Sequence, residues 1–152
     1  MGQVPTTVSV VTAMVDDEPV AMVIGSFVSV SLDPPLAGFL CTSTSSTWAQ
    51  LQQAEVLGVN ILGQHQVDIS NACMRPPNER FDGLDWEVVD GAPRIAGCTA
   101  WMTLVEHQIV PAGDHDFGLY TVTSMEIPDP AKPPVIFYGG QYRSLEELAV
   151  AR

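Results

Sequence analysis

The apolar positions of this chain come in short runs, most of them of strand length. Residues Thr6-Thr7-Val8-Ser9-Val10-Val11-Thr12-Ala13-Met14-Val15 are β-branched and partly alternating, and they predict a strand. The polar turn Asp16-Asp17-Glu18-Pro19 follows. A strand resumes over 20–24 until Gly25-Ser26 interrupts it. Phe27-Val28-Ser29-Val30-Ser31 alternates apolar and polar strictly, the sharpest period-two signal in the chain. Asp33-Pro34-Pro35 ends it, and the continuous apolar run 36–41 is short enough for a buried strand.

Six consecutive hydroxyl residues, Thr42 to Thr47, then change the texture. Thr47, with Gln50 three positions on, resembles a capping box that opens a short helix. Residues 56–62 read as a strand, and 66–74 carry a weak helical spacing at Val67, Ile69, Ala72 and Cys73. Arg75-Pro76-Pro77-Asn78 is a loop, and the Gly/Asp-rich stretch 83–94 is expected to turn over the surface. Two longer strands, 99–110 and 117–127, flank the turn Pro111-Ala112-Gly113-Asp114-His115 as in a long hairpin. A proline-rich loop at 128–134, a last strand at 135–138 and a terminal helix from Ser144 to Ala151 complete the chain. Short strands, few helices and no βαβ alternation imply a mainly β protein, an antiparallel barrel or sandwich.

At 152 residues the chain is expected to be one domain, 1–152. Six Lys+Arg against 18 Asp+Glu, a net charge of -12, argue against nucleic acid and against an anionic membrane surface. No apolar run approaches the roughly 20 residues that span a bilayer. Met1 to Val11 has no basic segment of the kind that opens a signal peptide. The three cysteines, Cys41, Cys73 and Cys98, form no CxxC, so neither a disulfide framework nor a zinc site is expected. They read as small buried hydrophobes in a reducing cytoplasm.

HExxH, P-loop, GxSxG and GxGxxG motifs are absent. The histidines, His65, His107 and His115, lie far apart, and no metal is expected. Asp114-His115-Asp116 is either a ligand cluster or, the better reading, a turn with a solvated histidine. The hydroxyl run before a helix N-terminus offers O–H and N–H donors suited to a phosphate; an ordinary polar loop is the competing reading.

In order along almost the whole chain, these segments resemble the flavin reductase-like family, the FMN-binding split β-barrel. Thr6 to Thr12 is similar to the opening strand TGVTVVT, and Met22 to Leu36 to GMTVSSFTSVSLDPPL, the most specific stretch. Gly38-Phe39-Leu40-Cys41 through Thr47-Trp48 resembles the strand and Ser/Thr loop that follow. Val59-Asn60-Ile61-Leu62 resembles VNVL, Arg80 to Trp86 KFAGVDW, Gly113-Asp114-His115 the GDH turn, and Phe137 to Tyr142 the closing strand.

The resemblance implies an antiparallel split β-barrel with a few short helices, acting as a homodimer. It implies an NAD(P)H:flavin oxidoreductase, with FMN (FAD as alternative) and NADH or NADPH as reductant, supplying a flavin-dependent monooxygenase. The flavin ring is expected against Met22, Val23, Ile24, Gly25 and Ser26, where the small residues admit close approach or, alternatively, mark a β-bulge. Phosphate and ribityl contacts are expected at Leu40, Cys41, Thr42, Ser46 and Thr47. His115 is expected beside the nicotinamide as the catalytic residue, and Tyr142 either covers the pocket or packs. Ser43 and Ala72 stand where the family often has cations, which puts Arg75 or Arg80 forward as a substitute. The short start Met1 to Pro5 replaces a leading helix. The competing readings are a barrel that binds flavin or another planar ligand without turnover, and a flavoprotein oxidase or tailoring enzyme.

Overall fold

The computed structural model describes residues 2–145; the terminal helix expected from Ser144 onward lies almost wholly outside them. The strands are β1 (Thr6–Thr7), β2 (Ser9–Val15), β3 (Glu18–Ile24), β4 (Val28–Leu32), β5 (Pro35–Thr42), β6 (Leu57–Ile61), β7 (Trp86–Val89), β8 (Ala92–Ile95), β9 (Ala100–Ala112), β10 (His115–Glu126), β11 (Ile136–Tyr138) and β12 (Gln141–Arg143). Two short helices, α1 (Ser46–Leu51) and α2 (Val67–Cys73), and a 3-10 turn at Pro77–Glu79 interrupt them.

Seven strands form one sheet in the order β3-β2-β6-β9-β10-β5-β4, every pair antiparallel. Its two end strands, β3 and β4, are consecutive in the chain yet share no ladder, so the barrel is split between them. The concave face holds Val11, Ala13, Phe39, Leu57, Val59, Leu104 and Tyr120, with Trp48 of α1 as a lid. Phe39 and Tyr120 stack there, centroids 5.1 Å apart. The opposite face buries Val8, Val10, Ala21, Leu62, Cys73, Ile95 and Val135 under α2 and the small sheet β1-β11-β12. β2 is therefore covered on both sides, which is why residues 6–15 alternate only partly.

The structure corrects three expectations. The strand expected over 6–15 breaks at Val8, whose carbonyl accepts from Leu62 N, and β1 joins β11 in the other sheet. The stretch 83–94 does not simply turn over the surface. β7 and β8 form a hairpin whose turn, Asp90-Gly91, has both residues at positive φ (49° and 89°), the geometry that Asp-Gly favours. Ala92 and Ile95 are buried, and Asn60 Oδ1 accepts from Ile95 N at 2.7 Å. The cap of α1 is Ser45, whose hydroxyl accepts from Trp48 N at 3.2 Å; Thr47 is inside the helix and buried. The strand expected from the alternation at 27–31 is present as β4, with Val28, Val30 and Leu32 all exposed. Among the described residues no helix is long and apolar enough to cross a membrane.

Candidate active site

The β5–β10 ladder begins at the pair Thr42–His115. His115 also pairs with Ala112 across a two-residue turn, in which Gly113 takes a φ of 72° that a side chain would resist. Ser43 N and Ser43 Oγ both donate to the Asp114 carbonyl, each at 3.1 Å. The hydroxyl loop is thereby tied to the hairpin tip, and Ser43 spends its side chain on that tie.

His115 sits half-buried at this junction. Its Nδ1 lies 2.7 Å from Asp114 Oδ1, and its Nε2 lies 3.4 Å from Thr42 Oγ1. The hydrogen bond and charge of His115 hold the Asp114 carboxyl below its ordinary value. Asp116 takes no part: it accepts from Trp48 Nε1 at 2.8 Å, on the opposite side of the strand. The triplet is a turn with a held histidine. Among the described residues no group of three or more His, Cys, Asp or Glu could hold a metal ion.

The turn after β3 is clipped to β5 by one side chain. Continuing the β4–β5 register from Val28–Gly38 sets Ser26 opposite Leu40. Ser26 pairs there through its hydroxyl, donating to Leu40 O at 3.1 Å and accepting from Leu40 N at 2.9 Å. It thus takes the place of a missing backbone partner. Gly25 beside it passes so close to β1 that a Cβ would lie 2.9 Å from Thr6 Oγ1.

Thr6, Gly25, Ser26, Leu40, Ala112 and His115 line one open recess of about 500 Å³. A smaller recess of about 210 Å³ adjoins it at Thr6 and Gly25, and brings in Val23, Ile24, Phe137 and Tyr142. Tyr142 packs edge-on against Phe137, centroids 5.4 Å apart, and its hydroxyl shares a 2.8 Å hydrogen bond with Ser70. Thr42 and Ser46 are exposed at the rim. Met22 packs against the barrel core, and Cys41 is buried in it. Burial, then the Asp116 charge, push the Cys41 thiol up to about 12, so it is protonated and any ligand contact falls to its backbone.

Arg80 anchors the far end. Its Nη1 donates to Ala21 O at 2.6 Å and to Thr47 Oγ1 at 3.0 Å, and its Nε donates to Arg75 O at 2.9 Å. A guanidinium therefore lies directly under the hydroxyl loop. Ala72 is buried on α2, and Arg75 points to Asp82 O instead. The sequence reading missed Thr6, Ala112 and Phe137. Ala112 was signalled by the two-residue turn that sets it opposite His115; the other two come from the second sheet. A cavity of about 620 Å³, larger than either recess, lies elsewhere, between Trp86, Arg94, Cys98 and Lys132. It contains none of the expected residues. Its cations are engaged, Arg94 with Glu126 at 2.8 and 2.9 Å and Lys132 with Gly97 O.

Residues 1–146 match the family described as flavin reductase like domain. The chain is 36% identical over 143 residues to an NADH:FMN oxidoreductase of Rhodococcus qingshengii, covering 91% of this chain and 74% of that one. Among solved structures, an NADH:FAD oxidoreductase of Streptomyces globisporus superposes with a TM-score of 0.87 at 32% identity, covering 93% and 87% of the two chains. A nitrilotriacetate monooxygenase component B homologue of Mycobacterium thermoresistibile superposes with a TM-score of 0.92 at 31% identity, covering 99% and 86%.

Proposed function

The chain belongs to the flavin reductase-like family, and from that premise we propose that it is an NAD(P)H:flavin oxidoreductase that supplies reduced flavin to a partner monooxygenase. One observation carries the reading: Gly25, Ser26, Leu40 and His115, distant in sequence, converge on one recess with the hydroxyl loop and Arg80 beyond it.

The residues present fit a flavin. The recess is within the usual size of a small-molecule site, about 300–1,000 Å³. Gly25, Ala112 and the aliphatic Leu40 leave main chain and apolar surface for a flat ring. Thr42 and Ser46 offer exposed hydroxyls, and Arg80 brings the positive charge that Ser43 and Ala72 do not. When bound, flavin supplies the acceptor for the hydride of a reduced nicotinamide. The protein's own part is positioning and exclusion of water. Asp114 holds the His115 ring through Nδ1 and leaves Nε2 on the recess side beside Thr42, where it orients the nicotinamide. Ser26 fixes the distance between the Gly25 turn and β5. Tyr142, braced by Ser70, walls the adjoining recess.

FMN and FAD are each named for one of the relatives above. We take the chain as a single unit of this kind. It acts as a homodimer, supported by Val28, Val30 and Leu32, 47%, 46% and 90% exposed on an end strand whose outer edge is unpaired among the described residues. Three free, buried cysteines fit a reducing cytoplasm. The test is anaerobic reduction of the protein with added flavin, followed by loss of flavin absorbance after NADH and then NADPH. Bleaching above the protein-free rate, saturable in nicotinamide, is expected. Flavin binding without bleaching would leave only a flavin-binding barrel and refute the enzyme reading.

A further inference from the structure

Met74 closes the C-terminal end of α2, just past the buried residues Ser70, Ala72 and Cys73, and its N–H donates to Asn71 O. It is 58% exposed and lines the recess of about 210 Å³ together with Val8, Val23, Ile24 and Phe137. That recess shares Thr6 and Gly25 with the ring recess, so Met74 stands next to the place proposed for the flavin. The other described sulfurs are less available there. Cys41, Cys73 and Cys98 are buried. Burial raises the Cys41 and Cys73 thiols to about 12 and about 11, so neither is a thiolate at neutral pH. Met102 is buried, and Met14 and Met22 are half-buried. Met125 is as open as Met74, 57% exposed, but it lines neither recess. It lies near the far end of β10 from His115, roughly 30 Å of strand away.

We propose that Met74 is a self-oxidation site: when reduced flavin meets dioxygen in the ring recess instead of leaving for a monooxygenase, the Met74 thioether becomes the sulfoxide. This rests on the flavin reductase reading. Dioxygen takes two electrons and two protons from the reduced flavin and two electrons from the thioether. One oxygen atom forms the S=O bond, the other leaves as water, and oxidised flavin is regenerated. The thioether is a flexible apolar group, whereas the sulfoxide is polar. Among Val8, Val23, Ile24 and Phe137 the S=O dipole is poorly matched. Oxidation therefore lowers the affinity for flavin and throttles the reductase while no partner collects its product.

The experiment is peptide mass mapping of the whole protein after aerobic turnover with NADH and FMN, with catalase present to remove free hydrogen peroxide. Met74 sulfoxide is expected at about fivefold or more over Met125 sulfoxide, whereas hydrogen peroxide added to the flavin-free protein should oxidise the two alike, within about twofold. The FMN Kd, titrated after turnover, should rise by about three- to tenfold and return on treatment with the two epimer-specific methionine sulfoxide reductases. Met74→Leu, carried through the same turnover, should keep its own starting Kd. Equal oxidation of Met74 and Met125 during turnover, or oxidation of neither, would overturn the proposal. So would the same preference for Met74 under added peroxide, a sulfoxide that leaves the Kd unchanged, or a rise in Kd that Met74→Leu shares. Any of these results alongside bleaching of flavin by NADH overturns this proposal alone. Absence of bleaching overturns the flavin reductase reading, and this one with it.

Discussion

Arg80→Ala removes three hydrogen bonds at once, and two of its acceptors belong to buried residues. Ala21 is 1% exposed and Thr47 is 7% exposed, whereas Arg75 is open to water. A buried acceptor left without its donor costs about 1–3 kcal/mol, so the Ala21 carbonyl and the Thr47 hydroxyl together put the loss at about 2–6 kcal/mol. Water replaces the Arg75 contact at little cost. For a chain of this size, each kcal/mol moves Tm by roughly 2–4 °C, which gives an expected fall of about 4–24 °C. The assay is thermal unfolding by circular dichroism in the absence of flavin, with urea unfolding as a second measure. Arg80→Lys should recover part of the loss, since one ammonium cannot reproduce the guanidinium fork. A parallel titration separates the structural role from the cofactor role: the variant should weaken FMN more than riboflavin, which lacks the phosphate. A flavin-free Tm within about 2 °C of the parent would refute the staple, because the two buried acceptors would then have to be satisfied without Arg80.

Three further outcomes follow from the geometry. Ser26→Ala should cost about 1–2 kcal/mol, two ordinary hydrogen bonds in a half-exposed setting, and weaken flavin binding, while Ser26→Thr retains both; calorimetry with an unchanged flavin Kd for Ser26→Ala would refute the clip. Burial raises the Cys41 thiol to about 12 and, against a smaller lowering by Arg80 and Arg75, the Cys73 thiol to about 11, both from 9.0. A folded pKa above the unfolded one gives a contribution that is complete below pH 9 and lost as pH rises through about 11 and 12. The urea midpoint should therefore fall above pH 9, and a midpoint flat across that window would contradict it. His115→Ala should slow anaerobic flavin reduction far more than it weakens flavin binding, and unchanged reduction kinetics would remove His115 from the mechanism.

The sequence by itself determined most of the local structure. The turns at Asp16-Asp17 and Gly113-Asp114, the hairpin of β9 and β10 and the specific Ser26 to Leu36 stretch are all set by residues near one another in the chain. Of the residues that line the recess, the resemblance named Gly25, Ser26, Leu40 and His115, while Thr6 and Ala112 were missed. Their partners were decided only by tertiary structure. Nothing local distinguishes Thr47 as a buried acceptor for Arg80 from Thr47 as a helix cap; the outcome depends on a guanidinium 33 positions away. The hydroxyl of Ser26 became a substitute for main chain because β4 ends its ladder before Leu40. The strand over 6–15 broke at Val8 because two sheets compete for its backbone, and a period-two pattern cannot encode that competition. Even the clearest pattern, the alternation of β4, fixed only an apolar face and not what covers it. Periodicity records which side of an element avoids water, while the surface that receives that side is assembled from distant segments.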